Sequence, residues 1–293
     1  MGDLQYTLKN QVSDESYMQG MAEQISLYVV VDNNRLQYTL VDDGRQKAVV
    51  MRDYHLLNEQ PSEKVFVSGF FSRIFADDDL LNQVKPQRVV LSVYSPVQSL
   101  VPAPLFSRET LRETLSLTNI PGEEDDVYSD IIVSANAHLL FSIPSSLSDE
   151  ICRYFPGTMV FHASTSFIEN QLRLHKHESD VRIAVVLRRK HIDMVITQGN
   201  ELRFFNIFET ESIEDFMYYL LFCMEQLQLN PDQTPVTCYG EIEKINANWL
   251  LGRKYIRNFE FGDKVDGVQL SYGFDAFSAH QYYPLFIQRL CVS

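Results

Sequence analysis

The chain has 293 residues, 45% of them hydrophobic, which is enough to bury one large core or two ordinary ones. A formal net charge of -14 repels phosphate backbones, so we expect no nucleic acid partner and favour a basic protein surface. The sequence shows no secretory signal and no apolar run near the roughly 20 residues that a membrane span needs, which predicts a cytoplasmic protein.

The first part of the chain predicts a β-meander followed by a helix. Residues 1–24 are polar and uneven, which indicates a lead-in that lies partly on the surface. Apolar runs rich in β-branched residues then predict three strands, at Ile25–Val31, Leu36–Val41 and Ala48–Tyr54. Apolar residues at helical spacing over Ser62–Gln83 predict a helix, and the acidic run within it is the expected place for a break.

Shorter elements are predicted from there to residue 175, where proline and serine mark several boundaries. They are a strand at Arg88–Tyr94, an edge strand within Pro96–Pro104, a helix at Arg108–Leu117, strands at Asp130–Ser134 and His138–Ile143, a helix capped by Ser145 or Ser146 that runs to Tyr154, a strand at Thr158–Phe161 and a helix at Ser164–Leu174. The polar residues that follow predict a linker between two halves of the protein.

The second half begins with a stretch that repeats the order of the first elements more clearly. Ser212 and Asp215 have the spacing of a capping box, and an apolar stripe from Ile213 to Leu227 predicts the helix that this box begins. The strand after the helix is expected to return to the same sheet in parallel. The predicted strands are Val181–Leu187, His191–Thr197, Glu201–Phe208 and Val236–Tyr239.

A three-strand meander, a helix and a strand, repeated, is the plan of the duplicated ribonuclease H-like fold of the actin-like ATPase superfamily. Two segments, Ser142–Leu147 and Tyr154–Ser166, together with Val181–Gly240, resemble DUF3822, an uncharacterised bacterial family with that fold. The resemblance implies an α/β protein with two mixed five-stranded sheets, flanking helices and a cleft between two halves. The repeat places these halves at residues 25–175 and 176–293.

The first hairpin of each half is where nucleotide-binding members of the superfamily carry an acid and glycines, because backbone N–H groups must approach phosphate oxygens there. Here the first hairpin keeps Asp32 without a glycine, and the second carries Arg188 without an acid or a glycine. The glycine pair that such proteins place beside the base is reduced to Gly240. Asp32, Arg188 and Gly240 are therefore the candidate cofactor-binding positions of the cleft, and the missing glycines argue against ATP hydrolysis.

Each candidate also has a plainer interpretation. Asp32 and Asp53 would suit the metal site of a nuclease, but an acid in a hairpin is ordinary turn chemistry. Arg188 and the two basic residues after it would suit phosphate, but a solvated turn is favoured in an acidic protein. His175 and His177 resemble a metal-ligand pair without a third ligand, so a polar linker is favoured.

The leading hypothesis is a non-catalytic interaction or scaffold protein on a degenerate actin-like fold, with a protein partner and no cofactor. The alternative is a divergent nucleotide-binding ATPase or a sugar-kinase-like phosphotransferase. It would require ATP and Mg²⁺, with Asp32 near the metal and Gly240 near the base.

Overall fold

The computed structural model describes residues 5–15, 17, 24–32, 34–57, 69–243, 246–262 and 268–291. The strands are β1 (Tyr6–Ser13), β2 (Ile25–Asp32), β3 (Arg35–Asp42), β4 (Lys47–Leu56), β5 (Arg88–Val93), β6 (Gln98–Pro102), β7 (Asp125–Ile132), β8 (Ala137–Pro144), β9 (Met159–His162), β10 (Val181–Leu187), β11 (His191–Gln198), β12 (Glu201–Glu209), β13 (Val236–Gly240), β14 (Phe259–Phe261) and β15 (Gln269–Leu270). The α-helices are α1 (Phe70–Asp77), α2 (Asp79–Gln83), α3 (Leu111–Ser116), α4 (Ser145–Tyr154), α5 (Ala163–His175), α6 (Ile213–Gln226), α7 (Ala247–Tyr255) and α8 (Tyr283–Phe286).

Two sheets repeat one strand order. The first contains β4-β3-β2-β5-β9 and the second is β12-β11-β10-β13-β14. In both, three antiparallel strands form a meander, and the strand after the next helix pairs in parallel with the first strand of that meander. We call these two five-strand units the first and the second repeat. They confirm the predicted α/β class and the duplicated ribonuclease H-like plan, while the division of the chain at residue 175 stays a prediction.

The first sheet is larger than predicted, because β1 and β15 both pair with β4 and bring it to seven strands. The prediction of a lead-in over residues 1–24 missed β1. Its residues alternate between half-buried and exposed, and Tyr6 and Leu8 pack against the core of the first repeat. Because every second residue of this edge strand is exposed and polar, the average polarity of the segment does not indicate a strand.

A third sheet, with the order β6-β8-β7, lies in the chain between β5 and α4. The segment predicted as an edge strand within Pro96–Pro104 forms β6 in this small sheet, where it pairs with β8 and not with the main sheet. The first repeat therefore carries an inserted layer that the second repeat does not have among the described residues.

The predicted break in the first helix falls at Asp78, between α1 and α2. Its carboxylate accepts hydrogen bonds from the backbone N–H groups of Leu80 and Leu81 and from the hydroxyls of Tyr38 and Tyr54, at 2.6–3.2 Å. A buried acid with four donors begins a new helix where the previous one ends. Residues 62–68 of the predicted helix lie outside the described residues.

The starts of the other helices show which cap predictions hold. At α6 the Ser212 hydroxyl accepts from the Asp215 N–H at 3.1 Å and the Asp215 carboxylate accepts from the Ser212 N–H at 2.9 Å, so the capping box is confirmed. The serine cap predicted for α4 is wrong, because Pro144 holds that position without a side-chain bond. At α5 the imidazole of His162 caps the helix.

The core extends between the repeats as well as within them. The α5 residue Phe167 packs with Val186 and Tyr239 of the second repeat, and the ring of Tyr283 in α8 stacks on Tyr239 at 4.0 Å. The same C-terminal segment also packs on the first sheet, where Phe286 contacts the cluster around Met51. Helix α5 and the C-terminal segment therefore join the two repeats. No helix within the described ranges has the length and apolar character to cross a membrane.

Candidate functional site at the junction of the repeats

The ends of β2 and β10 meet at the junction of the two repeats, where a small pocket is lined from both sides. All three residues predicted from the sequence, Asp32, Arg188 and Gly240, line it. The pocket has a volume of ≈ 20 Å³, which is room for one or two water molecules. Ligand pockets usually have volumes of about 300–1,000 Å³. Protein side chains therefore nearly fill this junction.

The side chain of Arg188 occupies much of the space in the junction. Its side chain is only 7% exposed, so the prediction of a solvated turn is wrong for this residue. One end of the guanidinium pairs with Asp193 at 2.7 Å, and Nη1 lies 3.3 Å from Asp32 of the first repeat. Its flat face lies 3.9 Å from the ring centre of Tyr94. The fully buried Asp193 also accepts a 2.6 Å hydrogen bond from Ser164 in the first turn of α5.

The charge state of Arg188 follows from these contacts. Burial by itself lowers the pKa of the guanidinium, but the carboxylates of Asp193 and Asp32 raise that pKa above its ordinary value. The side chain therefore stays positively charged inside the junction. A buried cation with two acids and an aromatic ring around it is a paired structural group in this arrangement.

Arg35 forms a second cluster on the other side of the junction. It binds Asp53 through two parallel hydrogen bonds of 2.8 and 2.7 Å, and its Nη1 reaches Glu241 of the second repeat at 2.8 Å. The Tyr282 hydroxyl donates to Asp53 at 3.1 Å, and the side-chain amide of Asn10 donates to that hydroxyl at 2.7 Å. Burial would raise the pKa of Asp53, but Arg35 holds it well below its usual range.

The two clusters mirror one another in the duplicated fold. Arg35 closes the first hairpin and Arg188 opens the second, and each pairs with an acid of its own repeat and an acid of the other. Two guanidinium groups thus face four carboxylates, those of Asp32, Asp53, Asp193 and Glu241. Both guanidinium groups are thus paired with carboxylates of the protein itself, and a phosphate group would have to compete with these acids for them.

Gly240 has a structural reason to be glycine. Its φ is +85°, and a Cβ at this position would lie 2.2 Å from the carbonyl oxygen of Leu187. The Glu241 N–H donates to that same oxygen at 2.7 Å, which turns Glu241 toward Arg35. Gly240 therefore permits a close approach of β13 to β10, while its predicted position beside a nucleotide base stays a prediction.

The metal interpretations find no support in the described ranges, where no three His, Cys, Asp or Glu side chains gather as a metal site. Asp32 and Asp53 are paired with different arginines and do not converge on one point. His175 contacts Glu178 at 3.0 Å, close to the end of α5.

Sequence reasoning missed Arg35, Asp193 and Glu241, and it proposed Asp53 only as a metal ligand. For Asp193 and Asp53, the sequence did contain a signal that indicates a buried ion pair. Asp193 and Asp53 each interrupt an apolar strand, and both side chains are fully buried. A buried carboxylate requires a partner, so each acid predicts a cation from elsewhere in the chain.

A third polar cluster, around His162 and Asp130, lies beside the junction. The imidazole of His162 forms hydrogen bonds with the backbone of Ser95 and Ser164, and the backbone N–H of His162 donates to the Asp130 carboxylate at 2.7 Å. Burial raises the pKa of Asp130 to about 7, although bonds from Thr165 and His162 act against it, and burial lowers the pKa of His162 to about 4. The two side chains are thus both uncharged in the pH range between these values.

Comparison with known proteins identifies the fold and the family. A protein from Bacteroides thetaiotaomicron with an actin-like ATPase fold and unknown function is similar at a TM-score of 0.71 and 18% identity, over 83% of this chain and 93% of that chain. A chain of the PilM–PilN type IV pilus biogenesis complex is similar at a TM-score of 0.56 and 12% identity, over 90% of this chain and 96% of that chain. No curated protein matches the sequence.

The family model described as "Protein of unknown function (DUF3822)" matches residues 14–259, which is most of the chain. The predicted resemblance is thereby confirmed, and the structural likeness confirms the actin-like ATPase fold. The protein therefore belongs to the DUF3822 family of proteins of unknown function and has an actin-like ATPase fold.

Proposed function

We propose that this protein is a non-catalytic interaction or scaffold module, in which the cleft of an actin-like fold has become a fixed joint. The observation that carries the proposal is the pair of arginine clusters across the junction. Arg35 and Arg188 connect the repeats at the position where a nucleotide would need open space. The remaining pocket of ≈ 20 Å³ is far too small for one.

The energetics of the clusters support the same proposal. A nucleotide phosphate would have to separate Arg188 from Asp193 or Arg35 from Asp53, and breaking a buried ion pair costs about 3–5 kcal/mol. Since about 1.4 kcal/mol corresponds to a tenfold change in affinity, opening the junction would weaken the intrinsic affinity for a nucleotide by about two to four orders of magnitude.

Two further observations support a protein partner. The net charge of -14 favours a basic protein surface over a polyanion. A chain of similar fold belongs to the PilM–PilN type IV pilus biogenesis complex, so a protein with this fold works within a protein complex there. We propose the same general role for this chain, without carrying over the identity of the partner.

Isothermal titration of the purified protein with ATP and ADP in the presence of Mg²⁺ tests the proposal. We expect no binding heat at millimolar nucleotide. The variant Arg189→Ala is the control for weak phosphate contacts on the exposed side of the second hairpin, and any signal that it removes does not come from the junction.

A micromolar dissociation constant for either nucleotide would overturn the proposal. Mg²⁺-dependent turnover that is lost in Asp32→Ala would then establish the alternative, a nucleotide-dependent enzyme. Binding without turnover would instead indicate a nucleotide-regulated protein whose junction opens.

A further inference from the structure

β12 is an outer strand of the second sheet. It has nine residues, and no strand within the described part of the chain pairs with its outer side. Outer strands of this length expose backbone N–H and C=O groups that can pair with another chain, so proteins usually shorten, cover or block them. A bulge near Arg203 interrupts only the beginning of β12, and residues 204–209 keep a regular register with β11.

The register shows which backbone groups point outward. The Thr210 N–H donates to the Lys190 carbonyl at 2.7 Å, which makes residues 210 and 190 a hydrogen-bonded pair. In an antiparallel ladder such pairs recur at every second residue, so the alternate residues between them direct their N–H and C=O groups away from β11. In β12 these outward residues are Phe205, Ile207 and Glu209.

A row of aromatic rings leads from this strand onto the surface of α6. Its members are Phe204, Phe208, Tyr219, Tyr218 and Phe222, and successive ring centres lie 6.2, 4.5, 5.3 and 5.8 Å apart. We call this row the aromatic ladder. Tyr218 is 60% exposed and Phe222 is 43% exposed. Large rings exposed next to each other in this way are typical of surfaces that bind a partner.

The charges around the ladder indicate the chemistry of the partner. Residues 201–226 contain six acids and a single arginine. Glu214 stands four residues before Tyr218, and Glu225 stands three residues after Phe222, so both acids share the exposed face of the two rings. This arrangement complements lysine and arginine side chains placed on either side of an apolar segment.

The same charges argue against a second copy of this chain as the occupant. Antiparallel pairing of two β12 strands about Phe205 would place Glu201 of each copy opposite Glu209 of the other. Like charges directly opposite one another destabilise a strand pair. A basic strand from a different protein avoids this repulsion.

We propose that β12 and the aromatic ladder bind an extended basic segment of a partner protein, which adds a strand to the second sheet. Backbone bonds to Phe205, Ile207 and Glu209 set its register. Its apolar side chains pack on the aromatic ladder, and its lysine or arginine side chains pair with the acids beside Tyr218 and Phe222. This surface rests on the proposed role as an interaction module and specifies where and what the module binds.

Fluorescence anisotropy tests this surface with a labelled ten-residue peptide that has lysines at both ends and valine and phenylalanine between them, because strictly alternating lysines would face away from the acids of α6. A twin peptide with glutamate in place of lysine is the control for charge. We expect micromolar binding of the basic peptide only. The double variant Tyr218→Ser/Phe222→Ser leaves the charge of the protein unchanged and should weaken this binding at least ~30-fold, because a central aromatic contact is worth about that factor.

The outward backbone has its own matched pair of variants. Ile207→Pro removes an outward N–H without removing a bond to β11, and it should abolish peptide binding. Ile207→Ala shortens the same side chain but retains the N–H, so it should bind within ~3-fold of the parent protein, since main-chain bonds carry the affinity in strand addition.

Three results would overturn the inference. The first is that all variants bind the basic peptide equally, which would indicate that charge alone drives binding. The second is that the basic peptide does not bind, and the third is that the protein self-associates through a contact that Ile207→Pro removes. The nucleotide titration is a separate readout. Failure of the peptide experiment with no nucleotide binding would exclude this surface but leave the interaction module, whereas nucleotide binding would overturn the module itself.

Discussion

Replacing Arg188 with methionine tests whether the junction depends on a buried ion pair. Methionine keeps an extended apolar side chain beside Tyr94 but removes the charge and the hydrogen bonds to Asp193 and Asp32. Asp193 is fully buried, so the variant leaves its carboxylate without its cation. An uncompensated buried charge costs about 3–5 kcal/mol, and the lost contact with the ring adds about 1 kcal/mol.

The expected loss is a large share of the free energy of unfolding, which is about 5–15 kcal/mol for a typical protein. Urea denaturation followed by circular dichroism measures it. The matched control is Arg189→Met, the same chemical change at the next residue, where the side chain is exposed. We expect this control to change the free energy of unfolding by no more than about 0.5 kcal/mol.

A second substitution identifies the cause of the loss. Arg188→Met/Asp193→Asn removes the unpaired carboxylate as well as the cation, so it should recover at least half of the lost stability. A single variant within about 1 kcal/mol of the parent protein would refute the reasoning that the cluster holds the repeats together. A double variant without recovery would show that packing, and not the buried charge, accounts for the loss.

Three further changes have expected outcomes. Gly240→Ala should lower the free energy of unfolding by at least about 2 kcal/mol more than Gly157→Ala, as measured by thermal unfolding. The two glycines have similar φ angles of +85° and +82°, but of the two only Gly240 has a backbone atom within 4 Å of the added Cβ. Asp130→Asn should gain stability relative to the parent by up to about 4 kcal/mol as the pH rises from about 4 to 7, because the folded-state pKa of Asp130 lies above its unfolded value and the parent protein loses the stabilisation from the protonated carboxyl group over that range. His162 titrates in both proteins, so a difference in urea midpoints that does not change with pH would contradict this origin. Ser212→Ala should cost about 1 kcal/mol by urea denaturation through loss of the capping box, and an unchanged midpoint would show that the packing of α6 alone fixes its start.

The elements that could be predicted from the sequence are those whose cause is local. Alternating or continuous apolar runs indicated the strands of both repeats, and the spacing of Ser212 and Asp215 indicated the start of α6, because both signals depend on neighbours within a few residues. β1 gave a weaker signal because only alternate residues of it face the core. The pairing of the two repeats gave no local signal.

The arginine clusters show why the site was harder to predict. Arg35 meets Glu241 across 206 residues of sequence, and Arg188 meets Asp32 across 156. An arginine in a hairpin turn is usually solvated, so composition favours the wrong interpretation. The informative residue was Asp193, since an acid inside an apolar strand requires a partner, although nothing near it in the sequence indicates which cation that is.

The additions to the duplicated plan explain how the junction is supported. Asn10 on β1 donates to the hydroxyl of Tyr282, which lies just before α8, and that hydroxyl donates to Asp53, the partner of Arg35. Both Asn10 and Tyr282 belong to segments that lie outside the five-strand plan of the repeats. On the other side, the bond from Ser164 to Asp193 connects the start of α5 to Arg188. The segments outside the shared plan thus hold the two clusters in place. Under the proposal that β12 accepts a strand from a partner, contacts on both sides of the junction favour binding with little loss of conformational entropy in the second sheet.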